Sequence, residues 1–177
     1  MIQEIHNPEL KLAFDFVEQT NTNLFLTGKA GTGKTTFLRN LRALSPKRMI
    51  VVAPTGVAAI NAGGVTIHSF FQLHFGPHVP GQDVQQAGIA GDHLKSALDR
   101  VQRFSREKIN IMRSLDLLVI DEISMVRADL LDAIDEVLRR FKDHAKPFGG
   151  VQLLMIGDLQ QLAPVAKDDE WELLRPY

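Results

Sequence analysis

The segment GKAGTGKT combines glycines with lysines and threonines in the pattern G-x-x-x-x-G-K-[ST]. Gly28, Gly31 and Gly33 let the backbone turn so that consecutive amides can face an anion. Lys34 adds a positive charge expected between the β- and γ-phosphates of a nucleotide, and the Thr35 hydroxyl is an oxygen ligand suited to Mg2+. The pattern therefore predicts a loop that binds nucleotide phosphates; the alternative is a glycine-rich turn with no ligand.

The segments on either side place this loop between a strand and a helix. NLFLT has the apolar character of a short strand, and TTFLRNLRAL has a helical pattern. This context favours the nucleotide loop. The residues predicted to contact the nucleotide are Gly28, Lys29, Ala30, Gly31, Thr32, Gly33, Lys34, Thr35 and Thr36.

A second motif, LDLLVIDEISM, is a buried strand that ends in two adjacent carboxylates, Asp121 and Glu122. On an extended chain the two side chains would point to opposite sides, which predicts different roles. Asp121 can hold Mg2+ through water, and Glu122 can orient and deprotonate the attacking water. An acidic pair can also cap a helix, but its occurrence together with a phosphate loop favours the catalytic interpretation.

A third motif, VQLLMIGDLQQLAPV, is a strand followed by a polar turn that carries Gln161. A neutral amide beside the γ-phosphate could donate to that phosphate or to the attacking water, and could shift when the phosphate leaves. The spacing alone equally permits a polar turn without a catalytic role.

These motifs need a scaffold that brings them together. Short apolar strands are predicted at NLFLT, RMIVVA, LDLLVI and VQLLMI, separated by helices or glycine-rich loops, which is typical of a parallel sheet covered by helices. A helix is predicted before the first strand, with Asn7 as cap, Pro8 as first residue, and Leu10, Phe14 and Val17 on one face.

A further helix, RADLLDAIDEVLRRFK, has an apolar stripe expected to face the core: Leu130, Leu131, Ile134, Val137, Leu138 and Phe141. The segment from Gln72 to Gly91 has glycines and prolines but no sustained period, and is predicted to be a loop or insertion.

Composition limits the class of protein. With 177 residues, 45% hydrophobic and 23% charged, the chain is typical of one globular domain. We find no stretch of membrane-spanning length and no signal peptide, so we expect no membrane partner and a location in the cytoplasm of a bacterium, or in the nucleus or an organelle of a eukaryote. The net charge of −1 predicts that any DNA partner binds in a local groove rather than on a broadly basic surface.

Together with APTGVAAINAGGVTIHSFF and AKPFGGVQLL, the three motifs resemble the petite-integration-frequency (Pif-type) family of DNA helicases, in superfamily one. The resemblance covers nearly the whole chain, and VIDEISMV through KPFGGVQLLMIGDLQQLAPV is its most specific part. It implies a RecA-like α/β lobe with a mostly parallel sheet flanked by helices, ATP and Mg2+ as cofactors, and ATP-driven movement along single-stranded DNA from 5′ toward 3′.

By this resemblance, Lys34 and Thr35 are nucleotide-loop residues, Asp121 and Glu122 act on magnesium and water, and Gln161 senses the γ-phosphate. The segments from Pro54 to Ala59 and from Thr66 to Phe71 look like the family's DNA-contacting motifs. The candidate DNA-binding residues are Pro54, Thr55, Gly56, His68, Ser69 and Phe70. From its residue type, His68 could instead be a packed side chain, and one of Phe70 and Phe71 is expected to be buried.

Two positions depart from the family pattern. Leu10 stands where a glutamine that reads adenine is usual, and Ala163 stands before Pro164 where two prolines are usual. In addition, nothing after Val165 can form the second RecA-like lobe that supplies arginines to the transition state. The resemblance therefore implies that residues 1–177 are the first motor lobe of a longer helicase, a lobe that binds nucleotide but does not unwind DNA by itself.

Two other functions remain open: a nucleotide-gated module that binds single-stranded DNA without turnover, and a P-loop ATPase or kinase unrelated to nucleic acid.

The basic residues between Arg100 and Arg113 are mixed with acidic ones and predict a solvated helix face. The histidines at 74, 78 and 93 have no metal-ligand spacing, so no zinc is proposed. Trp171 is interpreted as a packing residue.

Overall fold

The computed structural model of the chain describes residues 7–29, 31–79 and 104–175. Within them, five strands form one parallel sheet in the order β1-β5-β4-β2-β3. Because all strands run the same way, their carboxyl ends meet at one edge of the sheet. The strands are β1 (Leu24–Thr27), β2 (Met49–Ala53), β3 (Val65–Thr66), β4 (Leu117–Ile120) and β5 (Gln152–Gly157).

Helices and short 3₁₀ turns connect these strands. The helices are α1 (Pro8–Gln19), α2 (Lys34–Leu44), α3 (Gly56–Ala62), α4 (Ile67–Phe71), α5 (Arg106–Ser114), α6 (Ala128–Phe141) and α7 (Asp168–Leu174), with 3₁₀ turns at Ile123–Met125 and Pro147–Gly150. This arrangement confirms the predicted α/β class with a parallel sheet flanked by helices. None of the described helices is long and apolar enough to cross a membrane.

The sheet separates two apolar clusters, because alternate residues of each strand point to opposite faces. On β4, Leu117 and Val119 belong to the cluster that contains side chains of α1 and α2, whereas Leu118 and Ile120 belong to the cluster that contains those of α4, α5 and α6. All four side chains are fully buried. This central strand, covered on both faces, fixes the position of the acidic pair that follows it.

The first helix forms for the reasons that its sequence indicates. The Asn7 side chain accepts a hydrogen bond from the Glu9 amide at 2.9 Å, and Pro8 occupies the first helical turn. Val17 is buried, and Leu10 and Phe14 pack against the same cluster. The predicted capping and the predicted apolar face are both confirmed.

The apolar stripe of α6 is also confirmed, since Ile134 and Leu138 are buried and the other predicted members of the stripe pack around them. From Gln72 to Val79 the described chain forms no helix or strand, as predicted. The remainder of the predicted loop, residues 80–91, lies outside the described residues, as do Arg100 and Arg103.

Two expectations about packing are wrong. Phe70 and Phe71 are both buried, at 6% and 1% exposure, because α4 presents both rings to the core in an edge-to-face pair with centroids 4.9 Å apart. Trp171 is 60% exposed, because it lies on α7, a helix with no buried residue.

Candidate nucleotide site and nucleic-acid interface

The predicted phosphate loop connects the carboxyl end of β1 to the start of α2. Gly31 and Gly33 have φ angles of 80° and 93°, a left-handed conformation that side chains disfavour, so the turn depends on glycine at both positions. Gly33 caps α2, and Lys34 is the first residue of that helix. The predicted geometry of strand, turn and helix is therefore present; Ala30 lies outside the described residues.

Lys34 lies inside the curve of this loop. Its Nζ donates to the carbonyl oxygen of Gly28 and to that of Lys29 at 2.9 Å. The Thr32 hydroxyl donates to the same Lys29 carbonyl at 2.9 Å. These bonds hold the ammonium where the loop amides and the helix start converge, which is an arrangement suited to an anion.

Leu10, the residue at the unusual position, lies close to the loop. A Cβ built on Gly33 would be 3.4 Å from Leu10 Cδ1, so α1 packs directly against the start of α2. The half-buried leucine presents only apolar atoms there. It can contact a ligand by packing, but it has no polar group with which to read the edge of an adenine.

Asp121 and Glu122 follow β4 at the same edge of the sheet. The Asp121 amide donates to the Val52 carbonyl at 2.9 Å, which extends the β2 pairing by one residue. Glu122 then adopts φ 54° and ψ 44°. The expectation of an extended acidic pair is wrong, because this left-handed residue turns the chain into the 3₁₀ turn and sets the direction of the Glu122 side chain.

The two carboxyl groups interact with each other and with Lys34. Burial raises the pKa of Asp121, while the Glu122 amide and the charge of Lys34 lower it. Burial, and after it the charge of Asp121, raises the pKa of Glu122, while Lys34 opposes this shift and Asp158 adds to it. A carboxyl group with a raised pKa holds a proton more readily, which suits a group that accepts one.

Asp158 was not singled out from the sequence. It is 7% exposed at the end of β5, where its Oδ1 accepts from the Gln160 amide at 3.0 Å and its Oδ2 from Gln161 Nε2 at 3.1 Å. Asp158 therefore shapes the turn that carries Gln161. The signal in the sequence was an aspartate directly after a buried strand, the same signal that identified Asp121.

Gly157 allows β5 to approach the acidic turn. A Cβ at this position would lie 2.8 Å from Ile123 Cγ2 and 3.2 Å from the amide nitrogens of Ile123 and Ser124. The end of β5 can lie this close to the chain after Glu122 only with glycine there. The phosphate loop, the acidic pair and the Gln161 turn consequently meet at the ends of β1, β4 and β5, which are neighbours in the sheet.

The chemistry of the oxygen donors fits Mg2+ better than a transition metal. Among the described residues no group of three or more His, Cys, Asp or Glu side chains could hold a metal ion. Mg2+ needs only one or two protein oxygens beside a nucleotide phosphate, because water completes its shell. The Asp121 carboxylate and the Thr35 hydroxyl are the two groups that would hold it.

The predicted DNA-binding residues lie at the ends of β2 and β3. These strands pair with Ala53 opposite Thr66, so the chain leaves both strands at neighbouring points of the same edge. Thr55 caps α3 by accepting from the Ala58 amide at 3.2 Å, and Thr66 caps α4 by accepting from the Ser69 amide at 3.3 Å. The structure thus brings the two predicted DNA-contacting segments side by side.

The individual residues of α4 differ in their accessibility. Ser69 is exposed and His68 half-buried, but Phe70 is buried in the core. Its burial contradicts the predicted contact of the Phe70 side chain with DNA. Burial, and then the charge of Arg127, lowers the pKa of His68, so its imidazole is neutral at neutral pH.

The basic residues of α5 are not all solvated as expected. Arg106 and Arg113 are exposed, but Lys108 is half-buried and its Nζ donates to the Ser69 carbonyl at 2.8 Å. The same Nζ lies 5.8 Å from the centroid of the Phe70 ring. Lys108 therefore packs against α4, where its ammonium contacts both the Ser69 carbonyl and the face of the Phe70 ring.

Arg127 connects three parts of the fold, and sequence reasoning missed it. Its guanidinium donates to both carboxylate oxygens of Asp129, at 2.9 and 2.8 Å, and to Glu170 of α7 at 2.8 Å. Asp129 also accepts from the His78 amide at 2.9 Å. We call these four residues the Arg127 cluster; it holds the start of α6, the loop after α4 and α7 together.

The phosphate loop, the acidic pair and the RecA-like parallel sheet define a nucleotide-binding P-loop protein of the α/β class. Within that class, the family model described as PIF1-like helicase matches residues 7–173. The chain therefore belongs to the PIF1-like helicase family.

Curated relatives are similar to this chain over most of its length. It is 34% identical over 172 residues to the Saccharomyces cerevisiae ATP-dependent DNA helicase RRM3. The match covers 94% of this chain and 22% of that relative. It is 40% identical over 149 residues to the human ATP-dependent DNA helicase PIF1, covering 84% of the chain and 21% of that relative. The chain thus spans about a fifth of the length of these two relatives.

Solved structures agree in fold. A crystal structure of Bacteroides sp Pif1 in complex with ADP-AlF4 has a TM-score of 0.85 and 44% identity, covering 99% of this chain and 37% of that one. A crystal structure of Bacteroides Pif1 bound to single-stranded DNA has a TM-score of 0.84 and 44% identity, with the same two coverages. These neighbours confirm the RecA-like helicase fold.

Proposed function

We propose that this chain is the nucleotide-binding motor lobe of an ATP-dependent DNA helicase that moves along single-stranded DNA from 5′ toward 3′. The observation that carries the proposal is the convergence of Lys34, Glu122 and Gln161 at the ends of three neighbouring strands. Each is a group that ATP hydrolysis requires: a cation on the phosphates, a base for water and an amide at the γ-phosphate.

In this proposal the loop from Gly28 to Thr36 binds the phosphates of ATP, and Thr35 and Asp121 hold Mg2+, which neutralises charge on the phosphates. Glu122 takes a proton from the attacking water. Gln161 contacts the γ-phosphate, and its bond to Asp158 makes the turn after β5 responsive to loss of that phosphate.

Single-stranded DNA is the proposed second ligand, on the adjoining surface formed by Pro54, Thr55, Gly56, His68 and Ser69. Thr55 accepts a hydrogen bond within α3, which leaves the proton of its hydroxyl available for a phosphate oxygen. The similar Bacteroides Pif1 was solved bound to single-stranded DNA, which supports this ligand. We also infer a second RecA-like lobe in the full-length protein, and a compartment that contains DNA: the bacterial cytoplasm, or the nucleus or an organelle.

A nucleotide-gated DNA-binding module without turnover would use the same two surfaces, but it would not need a proton-accepting glutamate beside Lys34. The position of Glu122, directly after Asp121 at the end of β4 and near enough to Lys34 for their charges to interact, therefore favours the hydrolase.

The test is ATP hydrolysis by the full-length protein, measured with and without single-stranded DNA. We expect hydrolysis that single-stranded DNA stimulates. Nucleotide binding without turnover, with or without DNA, would support the binding module instead, and turnover indifferent to DNA would support an ATPase unrelated to nucleic acid.

A further inference from the structure

An aromatic ring stands in solvent beside the proposed DNA surface. Phe75 is 90% exposed, and the neighbouring residues His74 and Gly76 are exposed as well. Leaving a phenylalanine in water forgoes the stabilisation that its burial would contribute. A ligand that covered the Phe75 ring would recover this stabilisation, so the contacts around the ring bear on whether it is a binding site.

One face of this ring already has a partner. The rings of Phe75 and His68 are stacked, with centroids 4.7 Å apart and an angle of 22° between their planes. Since His68 supports one face and the residue is 90% exposed, the opposite face is open to solvent. The Phe75 ring therefore rests on the His68 ring by one face and exposes its other face to solvent.

The chain that carries this ring is anchored on both sides of it. Before it, Gln72 ends α4 with φ 52°, and the Leu73 amide donates to the His68 carbonyl at 3.1 Å. After it, the His78 amide donates to Asp129, and the His78 ring lies 3.1 Å from Glu136. A ligand that stacks on Phe75 therefore pays little entropy for ordering the loop.

We propose that Phe75 is a stacking platform for one base of the single-stranded DNA, and that His68 acts as a positioning residue beneath it. This inference rests on the proposed function, and it assigns the aromatic contact with DNA to Phe75, a residue that the sequence had not indicated.

The location and the chemistry both point to a nucleobase. Phe75 follows α4, which begins at the same sheet edge as Thr55, so a strand that contacts Thr55 by its phosphates can place a base nearby. A base has a flat apolar face for the ring and polar edges that remain in water. The neutral imidazole of His68 stacks without attracting a phosphate, which leaves the contact aromatic.

The test measures DNA binding by the full-length protein with fluorescence anisotropy and a labelled oligo-dT strand. Removing one base stack weakens single-strand binding by roughly 5- to 150-fold, so we expect Phe75→Ala to fall in that range. The slope of log affinity against log salt should stay unchanged, because no phosphate contact is lost. Phe75→Trp should retain wild-type affinity.

Leu12→Ala is the matched control, because Leu12 is an apolar side chain, 57% exposed, on α1. Its DNA affinity should equal that of the wild type. His68→Ala should weaken binding less than Phe75→Ala, and should add little in the double variant, because it acts through the Phe75 ring.

The outcomes separate this inference from the proposed function. Wild-type protein that binds no single-stranded DNA contradicts the proposed function itself. Wild-type DNA binding that Phe75→Ala leaves within twofold overturns only the platform. A loss of affinity accompanied by a flatter salt slope also overturns it, because the residue would then act through phosphate contacts.

Discussion

At the scale of single residues, Lys34 has the clearest role, since its ammonium is held by two loop carbonyls where phosphates are expected. Lys34→Ala should weaken binding of Mg2+-ADP by roughly 10- to 100-fold, because a hydrogen bond to a charged group contributes ~1.5–3 kcal/mol. Isothermal titration calorimetry measures this. Lys11→Ala, at an exposed position of α1, is the control and should bind as the wild type does. Equal affinities for Lys34→Ala and wild type would remove the loop from the proposed site.

Glu122 is expected to affect turnover rather than binding. In the full-length protein, Glu122→Gln should lower kcat by about 10²- to 10⁴-fold, the usual contribution of a general base. Nucleotide affinity should be kept, because the change removes a negative charge from the vicinity of the phosphates. Phosphate release in single-turnover experiments checks the first point and calorimetry the second. Glu107→Gln, an exposed change on α5, serves as control; turnover retained in Glu122→Gln would mean that another group is the base.

Residue types and spacing predicted roles for Lys34, Asp121 and Glu122 because each belongs to a motif with a defined chemical purpose, whereas the role of Gln161 came from the resemblance to Pif-type helicases. The structure brings the three motifs to one edge of the sheet, and the roles of these residues stay predictions. The same reasoning failed for Phe70. An aromatic residue in a polar segment looks the same whether it packs inward or faces a ligand, and only the packing of α4 decides between them. Phe75 was missed for a related reason: its partner, His68, is stacked on it through a turn that the sequence does not specify.

At the scale of elements, the close approach of β5 to the acidic turn depends on one glycine. Gly157→Ala would place a methyl group 2.8 Å from Ile123 Cγ2, with two backbone nitrogens behind it at 3.2 Å. Overpacking of this kind costs about 1–3 kcal/mol, and relieving it requires a shift of the turn that follows Glu122. We therefore expect a lower Tm together with reduced ATP turnover.

Gly56→Ala is the matched control for that change, because a Cβ at Gly56 meets nothing within 4 Å. Its Tm should equal or exceed that of the wild type. Thermal unfolding followed by circular dichroism distinguishes the two variants. A Gly157→Ala protein with wild-type Tm and turnover would contradict the proposed dependence on this contact.

The Arg127 cluster predicts a pH-dependent contribution to stability. Burial alone would raise the pKa of Asp129, but the bonds from Arg127 and His78 bring it below its usual value. The stabilisation is therefore present above the unfolded-state pKa of about 3.9 and is lost as the pH falls through the lower folded value. Removing one partner of a buried pair costs about 3–5 kcal/mol, and Asp129→Asn should lie at the low end because Arg127 keeps Glu170.

Chemical denaturation of wild type and Asp129→Asn between pH 3 and pH 7 tests this expectation. The difference between the two proteins should be largest near neutral pH and shrink in acid. Asp132→Asn, an exposed change on the same helix, should match the wild type throughout. A difference that is independent of pH would show that the carboxylate charge of Asp129 does not contribute.

Elements with strong local signals were predicted well, and elements defined by distant contacts were not. The cap at Asn7 and the stripe of α6 are local patterns, and both are confirmed. The approach of Gly157 to the turn after Glu122, and the bonds that join Arg127 to Glu170 and Asp129 to His78, connect segments far apart in the chain, so no short window of sequence contains them. Trp171 was misjudged for the same reason, because an aromatic residue does not by itself indicate which side of its helix is covered.

At the scale of the whole molecule, the order of the strands in the sheet brings the parts of the proposed nucleotide site together. β5 lies between β1 and β4, although it is the last of the described strands, so motifs more than a hundred residues apart become neighbours. The alternation of strands and helices predicted a parallel sheet, but it did not give this order. The resemblance to Pif-type helicases implied the fold from which the order follows.

Residues 1–177 expressed alone should bind nucleotide without unwinding DNA. A motor of this kind moves by closing two lobes on ATP, and the second lobe supplies arginines whose absence costs on the order of 10³ to 10⁵ in rate in other nucleotide hydrolases. The isolated chain, shown to be folded by circular dichroism, should bind Mg2+-ADP with an affinity that depends on Lys34.

The isolated chain should not separate the strands of a forked duplex at any ATP concentration, whereas the full-length protein should. A fluorescence-quenching unwinding assay compares the two, with the Lys34→Ala full-length protein as a negative control. Strand separation by the isolated chain, free of contaminating helicase, would show that these residues form a complete motor rather than one lobe.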